Sequence, residues 1–345
     1  MKKILLTVLF SLAVAVCRAD GPAAPERSAG GPYHFIKEIP AGGDGGWDYL
    51  TVDSAGQRLY VSHGSNVVVI DLAKDQVVGE ITNTPGVHGI AIAHDLGLGV
   101  TSNGREDKAG IVDLKTLQTL SKVDTGKNPD GMLYEPGRKE VYLFNGRGQS
   151  ATVVDVKGSK VVATIPLGGR PEFAQADPAA GRVYNNIEDK NEVAVIDTKS
   201  HQVVTNWPIA PGEGASGMAI DLKNHRLFLG CGNKTMVMMD STSGKVITSV
   251  PIGQGVDANA FDPGTGFAFA SCGDGTTTIA HEDTPDKLTV VQTLETQRGS
   301  RTMTIDPKTH KIYLAAAKFE APAEGQRRGK MVPDSFKILV YGMEK

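Results

Sequence analysis

The chain has 345 residues, 22% of them charged, and its 36 Lys and Arg against 39 Asp and Glu give a formal net charge of −3. That balance excludes the strongly basic surface by which proteins hold phosphate backbones in general. Length alone would allow two domains, but a chain built from repeats escapes that rule, because each unit buries its faces against its neighbours.

Lys2 and Lys3 precede an apolar run from Ile4 to Val16, and Cys17-Arg18-Ala19 follows it. A charged start, a short apolar stretch and a small residue at the cut make residues 1–19 a secretory signal peptide. The run is shorter than the roughly 20 apolar residues that cross a bilayer as a helix. No later segment is long and apolar enough to do so, which predicts a periplasmic or secreted protein without a transmembrane segment. Loss of Lys2, Lys3 and Arg18 leaves 33 basic against 39 acidic residues, a net of −6. Residues 20–31, rich in Gly, Pro and Ala, read as a flexible linker.

From residue 32 to 345 three landmarks recur. The first is a short strand, as in Trp47-Asp48-Tyr49-Leu50-Thr51-Val52-Asp53. Its counterparts carry their second residues at His88, Asp130, Glu172, Ser216, Asp257 and Arg301, a spacing of 40 to 44 residues. The second follows a polar turn and is β-branched and aromatic, as in Arg58-Leu59-Tyr60-Val61-Ser62 and Lys311-Ile312-Tyr313-Leu314-Ala315. The third is an apolar strand closing on aspartate, as in Val67-Val68-Val69-Ile70-Asp71, with closing aspartates at 71, 113, 155, 197 and 240. A turn then leads into a fourth strand such as Val161-Val162-Ala163-Thr164-Ile165-Pro166. Self-similarity at this period marks propeller blades, each a four-stranded antiparallel sheet. The seventh unit stops at Ile338-Leu339-Val340-Tyr341 and lacks its fourth strand. The stretch Tyr33 to Pro40 matches the missing piece, which predicts an all-β, seven-bladed propeller closed by its N-terminal strand in the C-terminal blade.

The units Arg58-Leu59-Tyr60-Val61-Ser62 and Val67-Val68-Val69-Ile70-Asp71 resemble the repeats of the YVTN-repeat, YncE-like family of bacterial β-propellers. The family's Tyr-Val-Thr-Asn run appears here as Tyr60-Val61-Ser62-His63, a partial match. The resemblance covers residues 32–345 and implies an exported propeller. It specifies function weakly: similar propellers include lactonases and quinone-dependent dehydrogenases, and nucleic-acid binding is attributed to one branch.

Loops at one mouth of a propeller's channel usually carry its ligands. Here Asp48, His88, Asp130, Glu172, Ser216, Asp257 and Arg301 keep the repeat's spacing while breaking its chemistry. Carboxylates this close disfavour joint ionisation unless a cation, a proton or an arginine compensates. The alternative is that Asp and Ser serve there as turn residues bonding their own backbone. A second set of loops, among them Asn103-Gly104-Arg105, Asn145-Gly146-Arg147 and Asn185-Asn186, adds Arg105 and Arg147 as candidate mouth residues, although a repeated Asn-Gly is also an ordinary tight turn. Asp130, Glu172 and Asp257 are the candidate metal ligands, with a divalent cation such as Ca²⁺ as the candidate cofactor. His281, followed by Glu282 and Asp283, sits in a turn on the opposite face, so a metal there is disfavoured. Cys231 and Cys272 occupy equivalent positions in neighbouring blades and point in the same rotational sense, which favours packing over a disulfide. The insertion 321–333, with Arg327, Arg328 and Lys330, reads as a lid, a docking arm or a decoration over the mouth.

No phosphate loop, nucleophile elbow or CxxCH site is present, and nothing identifies a nucleophile with its base. Three readings follow for what is expected to be a monomer. The first is a scaffold binding a small polar ligand or a protein partner at the mouth. The second is a divalent-cation-dependent, lactonase-like hydrolase in which His88 moves protons. The third, ranked last, is single-stranded nucleic-acid binding through Arg105, Arg147, Arg301, Arg327 and Arg328, which needs stacking aromatics such as Trp47 as well.

Overall fold

β-Branched and aromatic runs of four to nine residues, punctuated by turn residues, form 28 strands in a computed structural model that describes residues 30–321 and 329–343. The signal-peptide segment 1–19 and the linker up to residue 29 lie outside the described residues, as do Arg327 and Arg328. The strands make seven four-stranded antiparallel sheets, each in sequential order except the last. In that blade His34–Pro40 pairs with Lys337–Gly342 and supplies the outer strand, as the sequence predicts. Tyr33 secures the junction: its amide donates to Gln292 Oε1 at 2.9 Å and its hydroxyl to the His310 carbonyl at 2.7 Å. Among the described residues helix is limited to two short 3-10 turns, His94–Leu96 and Glu188–Lys190.

Seven apolar clusters hold the ring, one at each blade–blade interface. Ile39, from the N-terminal strand, is buried in the cluster that joins blades seven and one. Cys231 and Cys272 are buried and unbridged within such clusters.

One irregularity recurs and sets up the mouth. In six blades the innermost strand slips register against its neighbour at its first residues. The slips fall at Trp47/Leu50, Val87/Gly89, Pro129/Met132, Pro171/Ala174, Ala215/Met218 and Val256/Ala258. A β-bulge frees a residue from the ladder and re-aims its side chain. Asp48, His88, Asp130, Glu172, Ser216 and Asp257 all sit in these bulges. In the seventh blade Arg301 comes just before its strand, Met303–Asp306.

The bulged backbone needs new partners. Ser62 Oγ accepts the Asp48 amide at 2.9 Å, and Ser102 Oγ accepts the Gly89 amide at 3.2 Å. Asn185 donates to the carbonyls of Glu172 and Phe173, and Asn186 to those of Ser216 and Gly217. The sequence expectation placed Asn185-Asn186 in a mouth loop. They lie instead inside the strand Arg182–Ile187, fully buried, because the bulges beside them leave carbonyls that require donors.

Candidate functional site

The bulges bring the unlike side chains together in two linked groups. In the first, His88 Nδ1 lies 2.7 Å from Asp48 Oδ2 and 3.3 Å from Asp130 Oδ1. In the second, Asp257 Oδ2 faces Arg301 Nε at 3.1 Å, and Ser216 Oγ lies 3.2 Å from Asp257 Oδ1. Glu172 is drawn outward, toward Glu188 and toward Arg170 at 3.9 Å. Asp130, Asp48, Asp257 and Arg301 still act on one another electrostatically across the opening.

Crowding sets the protonation of this ring. Burial pushes Asp130 up to about 7, against the pull of protonated His88 and with the push of Asp48 and Asp257. Glu172 rises to about 9 through burial, Asp130 and its neighbour Glu188. Burial raises Asp257 to about 6 even with Arg301 beside it. For His88, burial favours the neutral ring, but the hydrogen bond to Asp48 and the charge of Asp130 outweigh it and the net direction is upward. Near neutral pH the ring holds protons where isolated carboxylates would have lost them.

Beneath the ring the channel is plugged. The residue after each ring member is Gly89, Gly131 and Gly217 in three blades, but Tyr49 and Phe173 in two others. These two rings stack with centroids 4.5 Å apart. Glycine makes room for them: a Cβ at Gly131 would stand 3.1 Å from the Tyr49 hydroxyl and 2.9 Å from the Glu172 carbonyl. The Tyr49 phenol is raised well above its ordinary value by burial and by the carboxylates around it. Tyr49 and Phe173 also line a cavity of about 300 Å³, together with inner-strand residues such as Met132, Ala219 and Ile305. Tyr49 and Phe173 therefore form an aromatic floor beneath the mouth. Tyr49 and Phe173 were not among the expected site residues; the alternation of glycine and aromatic at one repeat position was the available signal.

The ligand-type atoms that gather most tightly among the described residues belong to Asp48, His88 and Asp130, all within 4.8 Å of one another. Of the expected metal trio this group retains Asp130, while Glu172 and Asp257 are engaged with Glu188 and Arg301. On the far face, His281 Nδ1 bonds Asp283 at 2.7 Å, and Asp283 also holds Lys287 and Thr289. Arg105 and Arg147 reach the mouth: with Asp48 and His88 they line a cleft of about 490 Å³ over the first three blades. Asn103 and Asn145 end their strands, Asn103 bonding Glu106 and Asn145 bonding Ser150 and Thr152, which is the turn role allowed for them. The base of the blade-seven insertion is a hairpin, with Glu320 donating to the Lys330 carbonyl, and its Phe319 and Met331 line a second cleft beside Arg301. Trp47 packs on Phe336 and Phe319, with ring centroids 5.2 and 6.1 Å away, so the aromatic that base stacking would need is engaged within the fold.

These features define a closed, seven-bladed β-propeller with a polar mouth. Among solved structures the chain is similar to U3-55K and to the RRP9 WD40 repeats, each at 11% identity and a TM-score of 0.73. Either match covers 88% of this chain, and 98% and 97% of the other chain respectively. Likeness at that identity shows the fold. No family model matches the chain, and no curated protein does. Among the described residues no helix is long and apolar enough to cross a membrane.

Proposed function

We propose that this is an exported scaffold propeller of the YVTN-repeat, YncE-like kind, which binds a small polar ligand or a segment of a protein partner in the well at its channel mouth. The observation that carries the reading is the set of bulges. Six blades spend ladder hydrogen bonds to present Asp48, His88, Asp130, Glu172, Ser216 and Asp257 over one floor. Ring carboxylates that keep their protons near neutral pH are poised to exchange them for a ligand's cationic or hydrogen-bonding groups. WD40-type propellers, with their rigid rim of short loops, suit an interaction role. The test is calorimetry and thermal-shift screening of the mature chain against polar ligands and candidate partners, repeated on Asp130→Asn. A ligand that stabilises the native chain and loses most of its effect in Asp130→Asn supports the reading. A ligand bound equally by both proteins, or at the opposite face, overturns it.

A cation-dependent hydrolase is the second reading, favoured by the Asp48, His88 and Asp130 grouping. Two carboxylates and an imidazole suit a divalent ion and leave positions open to the mouth. Such an ion would polarise a carbonyl or activate a water there. His88 must then give up its proton and its bond to Asp48. Metal analysis of the purified chain decides this: no bound ion and no stabilisation by Ca²⁺ removes the hydrolase.

A further inference from the structure

Arg105 and Arg147 break the repeat in a different way from the ring. They stand at equivalent hairpin positions of blades two and three, where other blades carry Ser65, Asn233 or Asp274. Both are exposed, and neither guanidinium makes a hydrogen bond or an ion pair among the described residues. Asp107, the acid whose charge Arg147 feels, is already committed to Lys127 at 2.6 Å and to the Asn128 amide at 2.8 Å. Across the same cleft His88 uses Nδ1 on Asp48, which turns Nε2 toward Gly104, where a Cβ would come within 2.7 Å of it. Gly86, at φ +64°, likewise leaves room for the Arg105 stem, which a Cβ there would meet at 2.4 Å. The cleft walls are thus bare where the cationic side chains need space.

We propose that the cleft between the first three blades is an oxyanion subsite, in which Arg105 and Arg147 grip a carboxylate or phosphate group of a small ligand beside the His88 ring. Planar guanidinium groups match the two oxygens of such an anion, and a pair without internal partners gives up no existing ion pair to bind it. The inference rests on the mouth reading and deepens it by naming a ligand class: an anionic group on the Arg105 side, beside acids that suit a cationic or hydroxylated remainder.

The test is calorimetry of the full mature chain with citrate and, separately, with inorganic phosphate, comparing wild type, Arg105→Ala/Arg147→Ala and Asp130→Asn. The arginines are exposed, so the double variant should keep its circular dichroism spectrum and thermal midpoint. The expected result is saturable binding of at least one anion, weakened tenfold or more in the double variant. Citrate binding without phosphate binding assigns a carboxylate ligand, and the reverse assigns a phosphate. No binding of either anion to wild type, or equal binding by the double variant, overturns the subsite. A polar ligand lost in Asp130→Asn but retained in the double variant would leave the mouth reading standing while this inference falls.

Discussion

Replacing Glu172 with Gln should stabilise the protein, and the gain should depend on pH. In the folded protein Glu172 is pushed up to about 9 from an ordinary 4.5, first by burial and then by Asp130 and Glu188. Between those values the native state binds a proton that the unfolded chain releases, so the wild-type fold loses stability as pH rises through that window. At pH 7 the relevant span is from 4.5 to 7, which at about 1.4 kcal/mol per unit puts a ceiling of about 3.5 kcal/mol on the penalty. Glutamine has the shape of the protonated acid and keeps a donor for Glu188, so most of that penalty should disappear, raising the melting midpoint by about 5 °C or more. Below pH 4.5 both states of the wild type are protonated and the two proteins should converge. Calorimetric melting of both chains at pH 4, 7 and 8.5 reads this directly. A gain that is flat across pH would refute the electrostatic argument, and so would a loss at pH 8.5.

On the opposite face the sign reverses. Burial would raise Asp240, but hydrogen bonds from Thr242 and Ser243 hold it down to about 2. Its contribution is present above the ordinary 3.8 and lost as pH falls through about 2, so Asp240→Asn should cost about 1–2 kcal/mol at neutral pH and progressively less in acid, as urea titrations at pH 7 and pH 3 would show. Ile39→Ala deletes a fully buried side chain of the closing strand. It should cost about 2–5 kcal/mol and expose the outer edge of the seventh blade to hydrogen exchange before the other blades. Cys231 is fully buried and its thiol is pushed up to about 12 by burial, and Cys272 is raised further still. Neither should react with iodoacetamide at pH 8 in the native protein, while both should do so in guanidinium, as mass spectrometry would count.

The ring was legible in the sequence because a repeat supplies its own register. Once Trp47-Asp48 and its counterparts are aligned, the varied residues at 48, 88, 130, 172, 216, 257 and 301 stand out as departures. The closure by His34–Pro40 was legible for the same reason, as a strand missing at one end and spare at the other. What the pattern could not give was reach. Spacing places Glu172 level with Asp130, yet its longer side chain turns to Glu188 and Arg170, leaving the tight group to Asp48, His88 and Asp130. The bulges were equally hidden, since a register slip leaves the alternation of apolar residues almost unchanged. Asn185 and Asn186 therefore read as loop residues when they are the donors that a bulge demands.

The two faces of the ring use the same residue type for opposite ends. The closing aspartates of the far face sit in turns that feed them hydrogen bonds: Asp71 is held down first by Lys74, Asp113 by the Thr116 amide and Asp197 by the Ser200 amide. They recur in five blades because the turns that hold them gain from them. The carboxylates of the mouth differ from blade to blade and are all pushed upward where a shift is resolved, so each weakens the fold at neutral pH. A purely structural ring would exchange them for Ser or Asn, which bond a bulged backbone as well and leave no charge to neutralise. Blade five does so with Ser216. Groups that disfavour the fold, concentrated over one aromatic floor and flanked by arginines with no ion pair among the described residues, are the arrangement that the proposed binding role calls for.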